Sequence, residues 1–375
     1  MEYIRNEEDV AAVAAALSET DLFAADTEAA GYHRYHDRIC LLQLSTRDRT
    51  FLVDTLTIRD LTALAPLFAG DEREVILHDA DYDLRLLHRD YQIRVRGLFD
   101  TKLAAQLLGE PAFGLGALVE KFLGLKLDKK HQRADWAQRP LPADMLAYAA
   151  EDTRHLPPLR DRLKAELVKL NRLHWAEEEF ELREHARWET NGEAPIEGYT
   201  RVKNTRDLTP LQLAALRELY HWREQVAERR DTAAFRIIGN DVLIAVARRL
   251  PEHADELAGL PGLPPSIADR HGTDLLAGVQ RALALPEDEL PQRVRGARRP
   301  PPDAELDENV ERLKRARDAA AQVLGLDRGF LMPRHQLEAV ARRRPNDLAE
   351  LAEVPDLRRW QIEAVGEALL KALKR

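Results

Sequence analysis

Only one cysteine, Cys40, occurs in 375 residues. No intrachain disulfide can form, and the chain needs no oxidising compartment. Long apolar runs are also missing: none approaches the roughly 20 residues that cross a bilayer as a helix. The opening residues 1–9 are acidic where a signal peptide would be basic and then apolar. A cytoplasmic protein with no membrane partner is the expectation. Positive charge is not in excess either. The formal net charge is −9, which argues against a general nucleic-acid coat protein. An enzyme acting on nucleic acid stays open, because metal-binding acids add negative charge and phosphate contacts can be local. With 45% hydrophobic and 32% charged residues, the composition is that of a globular protein with room for two or three domains.

What is present is a change of pattern along the chain. Residues 1–170 alternate strand-like and helix-like segments. A helix is predicted over 7–17, then a strand ending in Phe23-Ala24-Ala25-Asp26-Thr27-Glu28. Segments 39–44 and 50–54 read as a hairpin around the polar 46–49. A helix over 60–67, a strand over 74–78 and helices over 82–89 and 101–108 follow, with Asp100 placed to cap the last. Hairpin and crossover helices together imply an α/β domain, a mixed sheet flanked by helices. After the polar loop 128–136, a helix through 145–152 should break or kink at Pro157-Pro158. Charged helical sequence continues to about Arg187.

From Thr205 the pattern is helical, and it repeats. Ala245-Val246-Ala247-Arg248-Arg249 recurs as Ala339-Val340-Ala341-Arg342-Arg343. The same offset carries Leu257 to Leu351, Pro261 to Pro355, Leu263 to Leu357 and Gly272 to Gly366. The expected division is an α/β domain over 1–170, a helical connector over 171–205 and all-α modules over 206–286 and 304–375. A Pro/Arg-rich semi-rigid linker, 287–303, separates the modules.

The chemistry is sought among the acids. Residues i and i+2 of a strand point the same way, so Asp26 and Glu28 stand side by side, a costly pairing unless a cation lies between them. Asp83 sits just inside the helix after strand 74–78. Asp152 lies one turn beyond Tyr148 on the same helix face. Acids converging from separate elements are what two-metal phosphoryl chemistry requires, and a neighbouring phenol can orient a water for attack on phosphorus. Each has an ordinary reading alone: a solvated strand end for Asp26 and Glu28, a helix N-terminal acid for Asp83, a half-buried aromatic beside a surface acid for Tyr148 and Asp152. Asp100 reads as a cap, Asp81 as part of a polar turn, and His78 as a satisfied core residue.

In order, Phe-Ala-Ala-Asp-Thr-Glu (23–28), Leu-His-Asp-Ala-Asp-Tyr-Asp-Leu (77–84) and Tyr-Ala-Ala-Glu-Asp (148–152) resemble the three exonuclease motifs of the tyrosine-type DEDD superfamily. The run Ala134-Asp135-Trp136-Ala137-Gln138-Arg139-Pro140-Leu141 is similar to that of its bacterial ribonuclease D family. The helical modules resemble that family's paired HRDC (helicase and ribonuclease D carboxy-terminal) domains. The resemblance implies a ribonuclease H-like sheet, two divalent cations (Mg or Mn) and stepwise release of nucleoside 5'-monophosphates from RNA 3' ends in tRNA maturation. By motif it implies that Asp26 bridges both metals, that Glu28 and Asp152 complete the site of the attacking water, and that Glu28 also lies near the terminal 3'-hydroxyl. Asp83 would support the second metal, and Tyr148 would position the nucleophile. RNA, with tRNA precursors foremost, is the expected partner, and a monomer the expected state. One position departs: Ala29 stands where many relatives place a bulky apolar residue against the terminal bases, leaving that role to Tyr32, Tyr35 or another aromatic.

Lys129, Lys130, His131 and Arg133 form a basic loop between the second and third motifs, either a phosphate contact beside the active site or a solvated loop. Arg342-Arg343-Arg344 reads as a solvated helix end. Two other functions stay open at this level. One is a 3'-5' DNA exonuclease of the same superfamily, because a metal site reads phosphates and not the sugar. The other is an RNA-binding scaffold on the helical repeats, against which the converging acids count.

Overall fold

The computed structural model describes residues 1–70, 72–189, 195–260, 262–291 and 303–374, with the backbone alone for 195–197. Pro261 and residues 292–302 of the expected linker lie outside the described residues. The described residues of Met1–Glu28, Ile39–Trp188 and Pro300–Arg375 form one compact unit, and those of Ala29–Arg38 and Glu189–Arg299 another. No described helix is long and apolar enough to cross a membrane.

The first unit is built on six strands, β1 (Glu2–Ile4), β2 (Leu22–Ala29), β3 (Ile39–Ser45), β4 (Thr50–Val53), β5 (Glu74–Leu77) and β6 (Leu98–Asp100). Their order is β1-β4-β3-β2-β5-β6. β3 and β4 make the predicted antiparallel hairpin, with Ser45 opposite Thr50. The pairs β1–β4, β2–β5 and β5–β6 are parallel, so the sheet is mixed. β3 is buried along its whole length, as a near-continuous apolar run requires of a strand covered on both faces. The three-residue β1 and β6 escape the sequence pattern because so short a segment shows no alternation.

Helices α1 (Glu7–Ser18), α2 (Ala65–Ala69), α3 (Asp81–Tyr91), α4 (Thr101–Leu108), α5 (Leu115–Leu123), α6 (Ala143–Arg154), α7 (Leu156–Lys169) and α8 (Leu173–Arg183) accompany the sheet. The helix expected over 60–67 begins later, at Ala65. Asp60 accepts a bond from Thr62 N at 2.8 Å, which holds a turn, and Pro66 suits a first helical turn. The break expected at Pro157-Pro158 is present: α6 stops at Arg154 and α7 restarts at Leu156, placing both prolines where missing N–H groups cost nothing. α6 packs on β3 and β4, and a 2.7 Å bond between the buried hydroxyls of Ser45 and Thr153 holds it there.

Two helical modules share one skeleton. In the second unit run α9 (Pro210–Arg229), α10 (Ala234–Ile237), α11 (Asn240–Arg249), α12 (Ala254–Ala258) and α13 (Pro265–Leu283). In the first unit run α14 (Ala304–Leu324), α15 (Arg328–Leu331), α16 (Arg334–Arg343), α17 (Leu348–Ala352) and α18 (Arg359–Leu373). Every helix of the later module starts 94 residues after its counterpart, as 210 and 304 or 265 and 359 show. The correspondence reaches single bonds. Arg223 Nη1 donates to the Ile238 carbonyl, and Arg317 Nη1 to the Met332 carbonyl. Leu250 and Arg344 share a left-handed φ of +52°.

The later module docks on α8. Trp360 stacks on Trp175 with ring centroids 5.3 Å apart. Glu178 accepts the Arg359 and Trp360 amides at the start of α18, at 2.8 and 3.0 Å, a carboxylate at the positive end of a helix. Arg172 bridges the Leu107 and Leu324 carbonyls, at 2.8 and 2.6 Å. Gly109 (φ +80°) lies so close that a Cβ there would stand 2.1 Å from the Gly325 oxygen, so only glycine fits.

Candidate active site

Asp26 and Glu28 project from the end of β2, and Tyr148 and Asp152 from α6. One carboxylate oxygen from each of Asp26, Glu28 and Asp152 lies within 4.8 Å of the others. Asp83, in the first turn of α3, stands outside that triad; its buried carboxylate accepts a hydrogen bond from the Thr27 hydroxyl. The turn that aims it is tied down by Asp100. As expected, this carboxylate caps α4, accepting from Lys102 N (2.9 Å) and Leu103 N (3.2 Å). It also accepts from Asp79 N and Ala80 N, at 3.1 and 2.9 Å, just ahead of α3. Two helix starts are thereby joined through one side chain. His78 is half-buried at the edge of the core and hydrogen-bonded, its Nδ1 2.9 Å from Thr101 Oγ1. Asp81, read as part of a turn, instead opens α3 and pairs with Arg85 (2.9 Å) and Arg183 (2.7 Å).

The electrostatics of the four acids agree with their geometry. Burial, then the charges of Asp83, Asp152 and Glu28, pushes the Asp26 carboxyl well above the ordinary range. Burial, then Asp152 and Asp83, does the same to Glu28. Burial chiefly raises Asp83 and Asp152 to about 7. None of the four forms an ion pair among the described residues. Desolvated carboxylates facing one another are unfavourable on their own. An all-oxygen donor set of this kind is what a hard divalent cation takes, so the residues fit a divalent metal centre. Tyr148 is partly buried, and burial followed by Asp152, Glu28 and Asp26 holds its phenol above its ordinary value. It is therefore a protonated donor at neutral pH.

The basic loop reaches Tyr148 through His131, whose ring packs edge-on at 5.7 Å. Lys130 Nζ and His131 Nε2 both meet Asp144 Oδ2, at 2.9 and 3.2 Å, while Lys129 and Arg133 are exposed. Arg342, Arg343 and Arg344 pair with Glu338, Glu353 and Glu305, as a solvated helix end would. Among residues 29–38, Tyr32 is exposed and its ring lies 5.5 Å from that of Phe235, whereas Tyr35 packs against the core of the earlier module.

Three supporting residues escape the sequence reading: Thr27, Gln43 and Arg139. Gln43 is buried beside Asp26; with its amide oriented to donate, it reaches the main-chain oxygens of Asp26 (2.7 Å) and Leu41 (3.3 Å). Arg139 grips Asp54 through Nε and Nη2, both at 2.7 Å, and donates to the carbonyls of Trp136 and Cys40. Burial works against the Asp54 charge, but Arg139 and Tyr3 hold its carboxyl below the ordinary value. This ion pair pins the 134–141 run to the sheet just ahead of α6. Arg139 is visible in that run, but its partner lies 85 positions away.

Residues 1–168 match the family model of a 3'-5' exonuclease, and 212–279 and 307–373 each match that of the HRDC domain. Fold and site together define a class: a metal-dependent 3'-5' exonuclease domain followed by paired HRDC domains. Ribonuclease D of Nitrobacter hamburgensis is 31% identical over 379 residues, covering 100% of this chain and 95% of that protein. The crystal structure of Escherichia coli RNase D, described as an exoribonuclease involved in structured RNA processing, matches with a TM-score of 0.71 at 28% identity, over 99% and 98% of the two chains. A crystal structure of a Bifidobacterium adolescentis protein matches with a TM-score of 0.81 at 26% identity, over 100% and 97%. The chain belongs to the ribonuclease D family.

Proposed function

We propose that the chain, a 3'-5' exoribonuclease by family, hydrolyses RNA from the 3' end by two-metal, in-line attack of water. It releases nucleoside 5'-monophosphates, takes tRNA 3' ends among its substrates, and acts in the cytoplasm as a monomer. The observation that carries this reading is the convergence of Asp26, Glu28 and Asp152 within 4.8 Å, with Tyr148 one helical turn from Asp152. Two cations, Mg or Mn, held by Asp26, Glu28, Asp83 and Asp152, would neutralise charge at the scissile phosphate and lower the pKa of the attacking water. The test is a 5'-labelled RNA and a DNA of equal sequence, incubated with Mg or Mn. A ladder shortening from the 3' end on RNA, abolished by EDTA, is expected. A ladder on DNA alone would move the assignment to a DNA exonuclease, and no ladder on either would overturn catalysis.

Tyr148 orients the water as a hydrogen-bond donor, its phenol kept protonated by burial and by the acids around it. A hydrogen bond to a charged or developing anionic group is worth about 1.5–3 kcal/mol. Tyr148→Phe should therefore lower kcat about 10–100-fold with RNA affinity near that of the parent; an unchanged kcat in single-turnover assays would remove Tyr148 from the mechanism. Lys129, Lys130 and Arg133 contact substrate phosphates, a reading supported by the packing of His131, from the same loop, on Tyr148. Replacing both lysines by alanine should flatten the salt dependence of RNA binding by a slope of about 1–2, and an unaltered slope counts against the loop.

A further inference from the structure

The earlier helical module carries a cavity of about 380 Å³, lined by Val226, Arg229, Arg230, Arg270, His271 and Asp274. Arg229 and Arg230 close α9, and Arg270 and His271 lie on α13. Arg229 donates from Nε to the Gln225 carbonyl at 3.3 Å. The guanidinium groups of Arg230 and Arg270 make no hydrogen bond or ion pair among the described residues. Elsewhere in this module Arg217, Arg223, Arg248 and Arg281 each meet a carboxylate. His271 is 4% exposed, with its ring edge-on to Trp222 and Nδ1 3.8 Å from Asp274 Oδ2. Burial, then Arg230 beside it, holds this imidazole below its ordinary value, so it adds hydrogen-bonding capacity without further charge. Asp274 is the one acid in the lining.

The internal repeat supplies a control. At the 94-residue offset, Arg229, Arg230, Arg270 and His271 correspond to Val323, Leu324, Ala364 and Val365. The same skeleton thus stands without a single charge at these four positions, and the fold does not require the arginines. Three like charges gathered around one cavity repel, and an anion that occupies the space between them would offset that repulsion. Arginine suits a phosphate in particular, because its planar fork donates two parallel hydrogen bonds.

We propose that this cavity is a phosphate site for RNA, taking a backbone phosphodiester of the substrate through Arg229, Arg230 and Arg270. The choice of RNA over a free phosphate or nucleotide rests on the exoribonuclease reading. The test uses the full chain in EDTA, so that binding is measured without hydrolysis, with a 5'-fluorescein RNA hairpin bearing a single-stranded 3' tail. Anisotropy titrations from about 50 to 300 mM salt compare the parent with Arg230→Gln/Arg270→Gln. Each phosphate contact carries a log–log slope of about 0.7–0.9, so the variant should lose about 1.4–1.8 of slope and roughly 10-fold of affinity. Both arginines are exposed, and Arg230→Lys/Arg270→Lys, which keeps the charges, should bind within about threefold of the parent. Unchanged affinity and slope in the glutamine variant overturn the proposal. So does a result in which 5'-AMP or inorganic phosphate raises the Tm of the parent, but not of the variant, while RNA binding is unaffected; the cavity would then hold free phosphate compounds. Because the readout needs no turnover, a catalytically inert chain with variant-sensitive RNA binding would sink the nuclease assignment and leave the cavity standing. An active enzyme with variant-insensitive binding would do the reverse.

Discussion

Replacing Asp26 by asparagine should lower the exonuclease rate by at least about 10³-fold and, in the absence of metal, make the protein more stable at pH 8. The rate follows from the charge that a bound cation places at the phosphate, worth several kcal/mol, with each 1.36 kcal/mol a factor of ten. Asparagine keeps the shape and one acceptor but not the charge that holds the cation. Asp152→Asn should lose a comparable amount. The gain in stability follows from linkage. All four acids have carboxyl groups raised in the folded state, Asp83 and Asp152 to about 7, against about 4 in the unfolded chain. Between these values the folded state binds more protons, so stability is fully present below about pH 4 and is lost as pH rises through 7. Removing one carboxylate relieves part of that loss. In EDTA, Asp26→Asn should melt roughly 2–5 °C above the parent at pH 8, with the gap closing as pH falls toward 4. Adding Mn or Mg should reverse the order, since only the parent retains its full donor set. Melting curves in EDTA that show the variant below the parent at pH 8 would mean that the acids are not in electrostatic conflict. Retained metal-dependent hydrolysis in either variant would sink the site assignment.

The clustered acids are legible in the chain because the chemistry sought there fixes residue types at short separations. Asp26 and Glu28 share a strand face at i and i+2, and Tyr148 and Asp152 share a helix face at i and i+4. The repeat was legible for a related reason: two copies of one skeleton need the same residues at the same bends, down to the left-handed positions of Leu250 and Arg344. Other determinants of the fold are remote in sequence or too brief to show a pattern. Strands β1 and β6 span three residues each. The Arg139–Asp54 pair and the Thr27–Asp83 bond join residues 85 and 56 positions apart, and nothing local announces either. Asp81 has the local sequence of a loop acid, yet it opens α3 and pairs with Arg85 and with Arg183, 102 positions away. The docking of α18 on α8 is hidden for the same reason. A tryptophan at 360 in an amphipathic helix reads as core of its own module, and only the fold reveals Trp175 beneath it.

Trp360→Ala should destabilise the first unit by about 3–5 kcal/mol, as loss of a fully buried large aromatic does. Trp360 is 1% exposed, stacked between Trp175 at 5.3 Å and Phe330 at 6.1 Å. Its indole N–H donates to Glu179 at 2.7 Å. Truncation leaves a cavity between two aromatic faces and strips Glu179 of its indole donor, with Arg358 at 3.4 Å its remaining cationic partner. The expected result is an early transition in the melting curve, matched by trypsin cleavage within 304–374 under conditions where the parent is intact. A melting curve within about 1 °C of the parent would mean that the stack contributes nothing to docking. Trp360 lies in none of the elements that carry Asp26, Glu28, Asp83, Tyr148 or Asp152, so hydrolysis of a short oligonucleotide should continue at low temperature. The repeat sharpens the expectation. The counterpart of Trp360 in the earlier module is Ser266, exposed on its helix, just as the counterparts of the cavity arginines in the later module are apolar. One skeleton has been given two surfaces, one apolar and stacked against α8, the other cationic, with the Arg230 and Arg270 side chains exposed. Trp360→Ala should therefore cost stability and leave RNA affinity close to the parent, whereas Arg230→Gln/Arg270→Gln should cost affinity and leave stability. A single variant that moves both quantities together would show that the two modules do not divide these tasks.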